Sequence, residues 1–122
     1  MMELKRLEGD FTVCKIENIV QVDFTREYVF LSKTDDEISL LCETKYAPQC
    51  ATVSEHGWKG FRVSGILDFG MIGVISKIAG ILADAKISVF VISTYNTDYI
   101  FVKAPNYDQT AQVLASNGYK VV

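Results

Sequence analysis

Two short stretches carry the residue types that binding chemistry needs. Leu67-Asp68-Phe69-Gly70-Met71-Ile72-Gly73 leads into an apolar pattern at helical spacing. A helix start presents unpaired N–H groups and a partial positive charge, so it attracts carboxylates. Glycine lets a small ligand approach the backbone closely. The second stretch, Ser93-Thr94-Tyr95-Asn96-Thr97-Asp98, joins two apolar runs. Asp98 can hold an ammonium group, and Ser93, Thr94 and Asn96 can add hydrogen bonds. Simpler roles also fit: Asp68 as a helix cap, and Asn96 and Asp98 as turn formers. Yet six polar or amphipathic residues in a row exceed what a tight hairpin needs. The candidate ligand-binding residues are therefore Asp68, Phe69, Gly70, Met71, Ile72, Gly73, Ser93, Thr94, Asn96 and Asp98.

Other chemistries lack their residues. The only histidine, His56, has no Ser or Cys at a recognisable spacing, and there is no GxSxG elbow. It reads as a loop histidine. No GxGxxG, phosphate-binding loop or HExxH is present. Asp35, Asp36 and Glu37 form a turn and not a calcium loop. Cys14, Cys42 and Cys50 are odd in number with no CxxC spacing, which reads as buried free thiols in a reduced compartment. No catalytic group, metal site or cofactor is expected. The net charge of −3 and the lack of a Lys/Arg run argue against nucleic acid as a partner. The charged, alternating first residues do not resemble a signal peptide, and no stretch approaches a spanning helix, so no membrane association is expected.

The elements that must position the two stretches follow from periodicity. Glu3–Leu7 and Phe11–Ile16 read as strands around Gly9-Asp10. Asn18–Thr25 is irregular. Glu27–Lys33 and Ile38–Glu43 read as a hairpin across a Thr34-Asp35-Asp36 turn. Ala51–Glu55 reads as a strand ended by His56-Gly57. Lys59–Ser64 begins a second series. A helix is predicted over Met71–Ala85, with Ile75, Ile78, Ala79, Leu82 and Ala85 on one face. Gly73 and Gly80 weaken that helix and invite close approach of another backbone. Strands over Ile87–Thr94 and Tyr99–Lys103 follow. Asn106 then caps a helix over Tyr107–Ser116, Asn117-Gly118 stops it, and Tyr119–Val122 is a last strand.

From Trp58 onward the order is β-α-β-β-α-β, the ferredoxin-like split motif, with both helices on one face of an antiparallel sheet. Trp58 and Phe61 are expected in the core. Nearly half of the 122 residues are apolar, enough for one domain or two small units that pack on each other or on another chain. A faint internal repeat relates Glu27-Tyr28-Val29-Phe30-Leu31 to Asp98-Tyr99-Ile100-Phe101-Val102. On this reading the helix start and the polar tip lie at opposite edges of their own unit. They would then meet only across an interface with a neighbouring unit.

The run from Ile72 to Val89, with a Gly at the helix start and an I-S-V-F strand after a small-residue turn, resembles the ACT-domain pattern. Ile72 stands where many ACT domains have Pro. The tail from Ile87 to Val102 resembles the tandem ACT subgroup that includes the CASTOR-type arginine sensors and their small bacterial relatives. Met2-Glu3-Leu4 followed by Leu7-Glu8 also fits that subgroup. The resemblance implies an α+β fold of tandem ferredoxin-like βαββαβ units. Residues 1–57 would form a degenerate ACT-like unit and 58–122 an ACT domain. It further implies a non-catalytic regulatory protein that binds a small amino acid at an interface between ACT units. Asp68 to Gly73 would contact the ligand carboxylate, and Ser93, Thr94, Asn96 and Asp98 its amino group or side chain.

The expectation is thus a cytoplasmic homodimer acting as an allosteric amino-acid sensor, with an unknown protein partner downstream. The competing expectation is a ligand-free interaction module that docks a partner through a sheet edge or open sheet face.

Overall fold

The apolar runs become eight strands and two α-helices in the computed structural model, which describes residues 2–64 and 73–122. The strands are β1 (Glu3–Arg6), β2 (Phe11–Ile16), β3 (Val29–Lys33), β4 (Ile38–Glu43), β5 (Val53–Val63), β6 (Phe90–Ser93), β7 (Asp98–Lys103) and β8 (Lys120–Val121). The helices are α1 (Val74–Asp84) and α2 (Tyr107–Ser116). Short 3-10 turns at Thr44–Tyr46 and Ala104–Asn106 follow β4 and β7. The fold is α+β and ferredoxin-like, as the β-α-β-β-α-β order predicts.

The chain forms two compact units: unit 1 is Met1–Glu8 with Lys59–Val122, and unit 2 is Gly9–Trp58. The expected division at residue 57 does not describe the first residues, because β1 is a strand of unit 1. β1 pairs antiparallel with β5 (Leu4↔Val63, Arg6↔Phe61) and parallel with β8 (Glu3↔Lys120, Leu4↔Val121). Unit 1 therefore has the strand order β6-β7-β5-β1-β8. That is the ferredoxin order with one extra strand inserted before the last. β1 and β2 look like a hairpin in sequence, yet each pairs with a different part of β5.

Unit 2 has the order β3-β4-β2-β5, the ferredoxin order without helices. Residues 17–28 stand where α1 stands in unit 1. The internal repeat is thus real in topology, but its register differs from the one expected. β4 (Ile38–Glu43) corresponds to β7 (Asp98–Lys103), sixty residues on, and both show three consecutive buried residues at the same positions. Both hairpins turn on a threonine whose N–H donates to the carbonyl three residues later: Thr34 to Glu37 and Thr94 to Thr97, each at 2.9 Å. Glu27–Leu31 matched β7 only because an acid, a tyrosine and apolar residues recur by chance.

β5 continues through His56-Gly57, where a break was expected. Thr12 lies opposite both residues, since Phe11 pairs with Trp58 and Val13 with Glu55. Gly57 at φ +87° supplies the conformation that this bulge needs. His56 is consequently a strand residue and not a loop residue. Its Nδ1 lies 2.8 Å from the Oγ1 of Thr12, which is 2.8 Å from Thr44 Oγ1. Cys14 and Cys42 are buried as expected, but Cys50 is exposed and donates to Gln21 Oε1 at 3.1 Å.

α1 buries Ile78 and Leu82, and α2 buries Thr110, Ala111 and Leu114. With Leu4, Phe61, Val63, Ile100 and Val102 they form the core of unit 1. Asn106 does not cap α2 with its side chain; its carbonyl accepts from Thr110 Oγ1 at 2.7 Å. Gly60 admits the Phe101 ring, because an added Cβ would lie 2.7 Å from Phe101 Cε1. Gly80, expected to admit another backbone, is exposed and has nothing within 4 Å of an added Cβ. Gly80→Ala should therefore raise stability by about 1 kcal/mol, the helix-propensity difference with no steric cost. Chemical denaturation checks this; a destabilised variant would show that the site is closed.

Tyr107, at the start of α2, ties three segments of unit 1. Its hydroxyl lies 2.8 Å from the Gly60 carbonyl and 3.2 Å from the Leu7 carbonyl. Its ring packs on Phe61 at a tilt of 42° with centroids 4.7 Å apart, and Arg6 sits 5.0 Å above it while bridging Asp108 at 3.0 Å. Burial pushes the hydroxyl's pKa up to about 12. Folding thus favours the protonated form. Its contribution is complete below pH about 10, where the unfolded phenol ionises, and is lost as pH rises through about 12. Denaturation midpoints measured from pH 8 to 12 should fall over that upper window. Tyr107→Phe should fall less there while starting from lower stability.

Candidate functional site

The tip between β6 and β7 is a two-residue turn. Val91 faces Ile100, Ile92 faces Tyr99, and Ser93 faces Asp98. Thr94 N–H donates to the Thr97 carbonyl at 2.9 Å, and Thr94 Oγ1 donates to the same carbonyl at 3.0 Å. Tyr95 and Asn96 are the exposed turn residues, with Tyr95 81% exposed. Ser93 Oγ donates to Asp98 Oδ1 at 2.5 Å. One carboxylate oxygen of Asp98 therefore completes the hairpin, and the other is not used by that bond.

Thr97, which was not among the candidates, fixes where this tip sits. It is 6% exposed, and its Oγ1 donates to the Val63 carbonyl at 2.6 Å. Val63 ends β5, the strand that leads toward α1. The hairpin tip and the end of β5 therefore meet within unit 1. The expectation that the helix start and the tip lie at opposite edges concerns Asp68–Ile72, which lie outside the described residues.

Of the helix-start candidates, Asp68, Phe69, Gly70, Met71 and Ile72 lie outside the described residues. Gly73 is described. It holds the cap position of α1 at φ +79°, a left-handed conformation natural to glycine, with no side-chain cap bond. The first intrahelical bond runs from Lys77 N–H to the Gly73 carbonyl at 2.9 Å. No acidic residue lies in the first turn. Among the described residues, no group of three or more His, Cys, Asp or Glu is placed to hold a metal ion. Among the described residues, no helix is long and apolar enough to cross a membrane.

The profile of the ACT domain matches residues 53–116, slightly more than half of the chain. The chain belongs to the ACT-domain family. ACT domains serve generally as regulatory modules that bind small ligands, and they are typically non-catalytic. The solved structures include an Agobacterium tumefaciens protein with 28% identity and a TM-score of 0.88, covering 99% of this chain and 92% of that one. A Vibrio cholerae protein of unknown function, described as a possible transport protein, has 21% identity and a TM-score of 0.74, with coverage of 94% and 88%. Aspartate kinase of Clostridium acetobutylicum, described as an allosteric enzyme, has 13% identity and a TM-score of 0.62, covering 93% of this chain and 33% of that one. The last two show the fold alone. Comparison with curated proteins gives no match.

The tie between tip and sheet is open to a direct check. Thr97→Val keeps the shape but removes the donor to Val63, and should cost about 1 kcal/mol. Hydrogen exchange should then rise at the Thr94 and Asp98 amides before it rises in α2. Equal exchange in the two proteins would remove Thr97 as the anchor.

Proposed function

We propose that this ACT protein is a non-catalytic, cytoplasmic amino-acid sensor, related to the tandem ACT sensors of the CASTOR type. A small amino acid would bind at the edge shared by the helix-start segment Asp68–Gly73 and the tip residues Ser93, Thr94, Asn96 and Asp98, with a neighbouring ACT unit of a homodimer closing the site. The observation that carries this reading is the Thr97–Val63 bond, which brings the tip beside the strand that leads to the helix start. That edge offers N–H donors for a carboxylate and, at Asp98, an acceptor for an ammonium group. Gly9–Trp58 would be the degenerate second copy, since it has the strand order of an ACT unit without its helices. Ligand binding would bias how units pack, which is how one site comes to influence another.

A second reading is favoured by one contact. Because Ser93 already occupies Asp98, the tip is self-satisfied, as it would be in an interaction module that docks an unknown protein through the edge strands β3 or β6. Thermal shift across the proteinogenic amino acids at millimolar concentration separates the two. A binder present at 100 times its dissociation constant should stabilise the protein by about 2.7 kcal/mol. Asp98→Ala should abolish that stabilisation without changing oligomeric state. No shift with any amino acid leaves the interaction module as the reading.

A further inference from the structure

The charges of the chain are split between its units. Unit 2 holds nine acids against four bases, and unit 1 holds six acids against eight bases. Half of the bases of unit 1 share one sheet face. Leu4, Val63, Val102 and Val121 point into the core that the helices cover. By strand alternation their neighbours Lys5, Arg62, Lys103 and Lys120 lie on the other face. Glu3, on that same face, pairs with Lys120 at 3.7 Å. Lys5 and Arg62 have no hydrogen bond or ion pair among the described residues.

Those two cations stand directly opposite each other in the β1–β5 register. Like charges so placed repel and destabilise the sheet. A local conflict of this kind gives the fold nothing, so its use lies outside the fold. The chain itself carries the complementary charge. The β3–β4 turn sets Asp35, Asp36 and Glu37 in succession, all exposed. Their backbone is satisfied by Thr34, whose Oγ1 accepts from the N–H groups of Asp36 and Glu37 at 3.1 and 3.2 Å. The three carboxylates have no hydrogen bond or ion pair among the described residues.

We propose that the Lys5–Arg62 face of unit 1 docks the Asp35–Glu37 turn of a second copy of this chain, with the contact made twice in a two-fold dimer. A single exposed ion pair contributes little. Here each contact sets several carboxylates on two unpaired cations, relieves the repulsion between them, and occurs twice. The inference rests on the homodimer of the reading above, names the surfaces that form it, and needs no ligand.

The test measures association of the full chain by analytical ultracentrifugation in about 20 mM and about 500 mM NaCl, which differ strongly in screening. The dimer should weaken by about 10-fold or more at the higher salt. Two charge reversals, Lys5→Glu with Arg62→Glu and Asp35→Lys with Asp36→Lys, should each weaken self-association by about 10-fold or more. The first keeps like charges opposite each other, so folding is not the variable. Mixing the two reversed chains makes one contact native and the other reversed in both signs. The mixed pair should therefore bind more tightly than either variant binds itself. Lys5→Glu alone separates fold from docking: it puts opposite charges across the strands, so it should raise the unfolding midpoint while weakening the dimer. The proposal falls if the chain is monomeric at both salts, if neither reversal changes the dimer, or if the mixture gains nothing. A monomer that binds a polyglutamate peptide through Lys5 and Arg62 gives the face to another protein and removes the second copy. The two readings fail separately. A dimer that follows these charges, with no amino acid stabilising the protein, keeps the docking and removes the sensor. An amino acid that stabilises through Asp98, in a dimer indifferent to both reversals, removes the docking and keeps the sensor.

Discussion

Unit 1 depends on one short strand from the far end of the sequence. β1 stands between β5 and β8, and β8 is only two residues long. What holds β8 is β1: Lys120 N–H donates to Met2 O at 3.0 Å, Val122 N–H to Leu4 O at 2.9 Å, and Arg6 N–H to Val122 O at 2.8 Å. Leu4 is fully buried among the core residues that α1 and α2 cover. Without β1, the last strand would have no ladder partner and the core would lose a central side chain. Unit 1 therefore closes only when its two sequence-distant parts are both present, a non-local pairing that is intrinsically slow to form. Tyr107 and Arg6 reinforce the same junction from the start of α2.

This constraint also decides what lies at one end of unit 1. β1 begins where β5 ends, and β8 begins beside β1. The end of β5, the β6–β7 tip, the start of α1 and the end of α2 therefore all serve one end of unit 1. Backbone groups that run out of secondary structure gather there, and they must find partners in side chains, turns or ligands. The hairpin tip resolves its own groups internally through Ser93, Thr94 and Thr97. The start of α1 does not do so with any side chain of its cap residue.

Much of this was legible in the sequence, and the failures have identifiable causes. α2 was readable residue by residue, since apolar spacing and Asn117-Gly118 mark its body and stop. β2 and β4 were readable because alternation and turn residues agree locally. Partnership was not readable. Which strand lies next to β1 depends on a contact some sixty residues away for β5, and periodicity carries no information about it. The bulge at His56-Gly57 was misread for a related reason: a glycine in a strand looks like a break unless the opposing Thr12 is known. The candidate site fared likewise. The polar tip was visible, while its anchor Thr97 was passed over because a threonine in a polar run gives no local sign of pointing inward.

The two units show what the helices add to the shared strand order. In unit 2 the segment that replaces α1 binds its own backbone: Asn18 Oδ1 accepts from Val20 N–H at 3.1 Å, and Asp23 Oδ1 from Thr25 N–H at 3.0 Å. Arg26 then pairs with Asp23 at 2.9 Å and lies 3.9 Å over the Tyr46 ring. The Thr25 hydrogen bonds, with Arg26 secondary, lower the Asp23 pKa, which keeps it an acceptor. Such a segment has used its polar groups on itself, and it covers the Cys14, Ile16, Leu40 and Cys42 core with Val22. An α-helix of 11 residues satisfies its interior completely and concentrates the unsatisfied donors at one point. The same strand order thus yields a self-contained support in unit 2 and, in unit 1, an end with donors to offer.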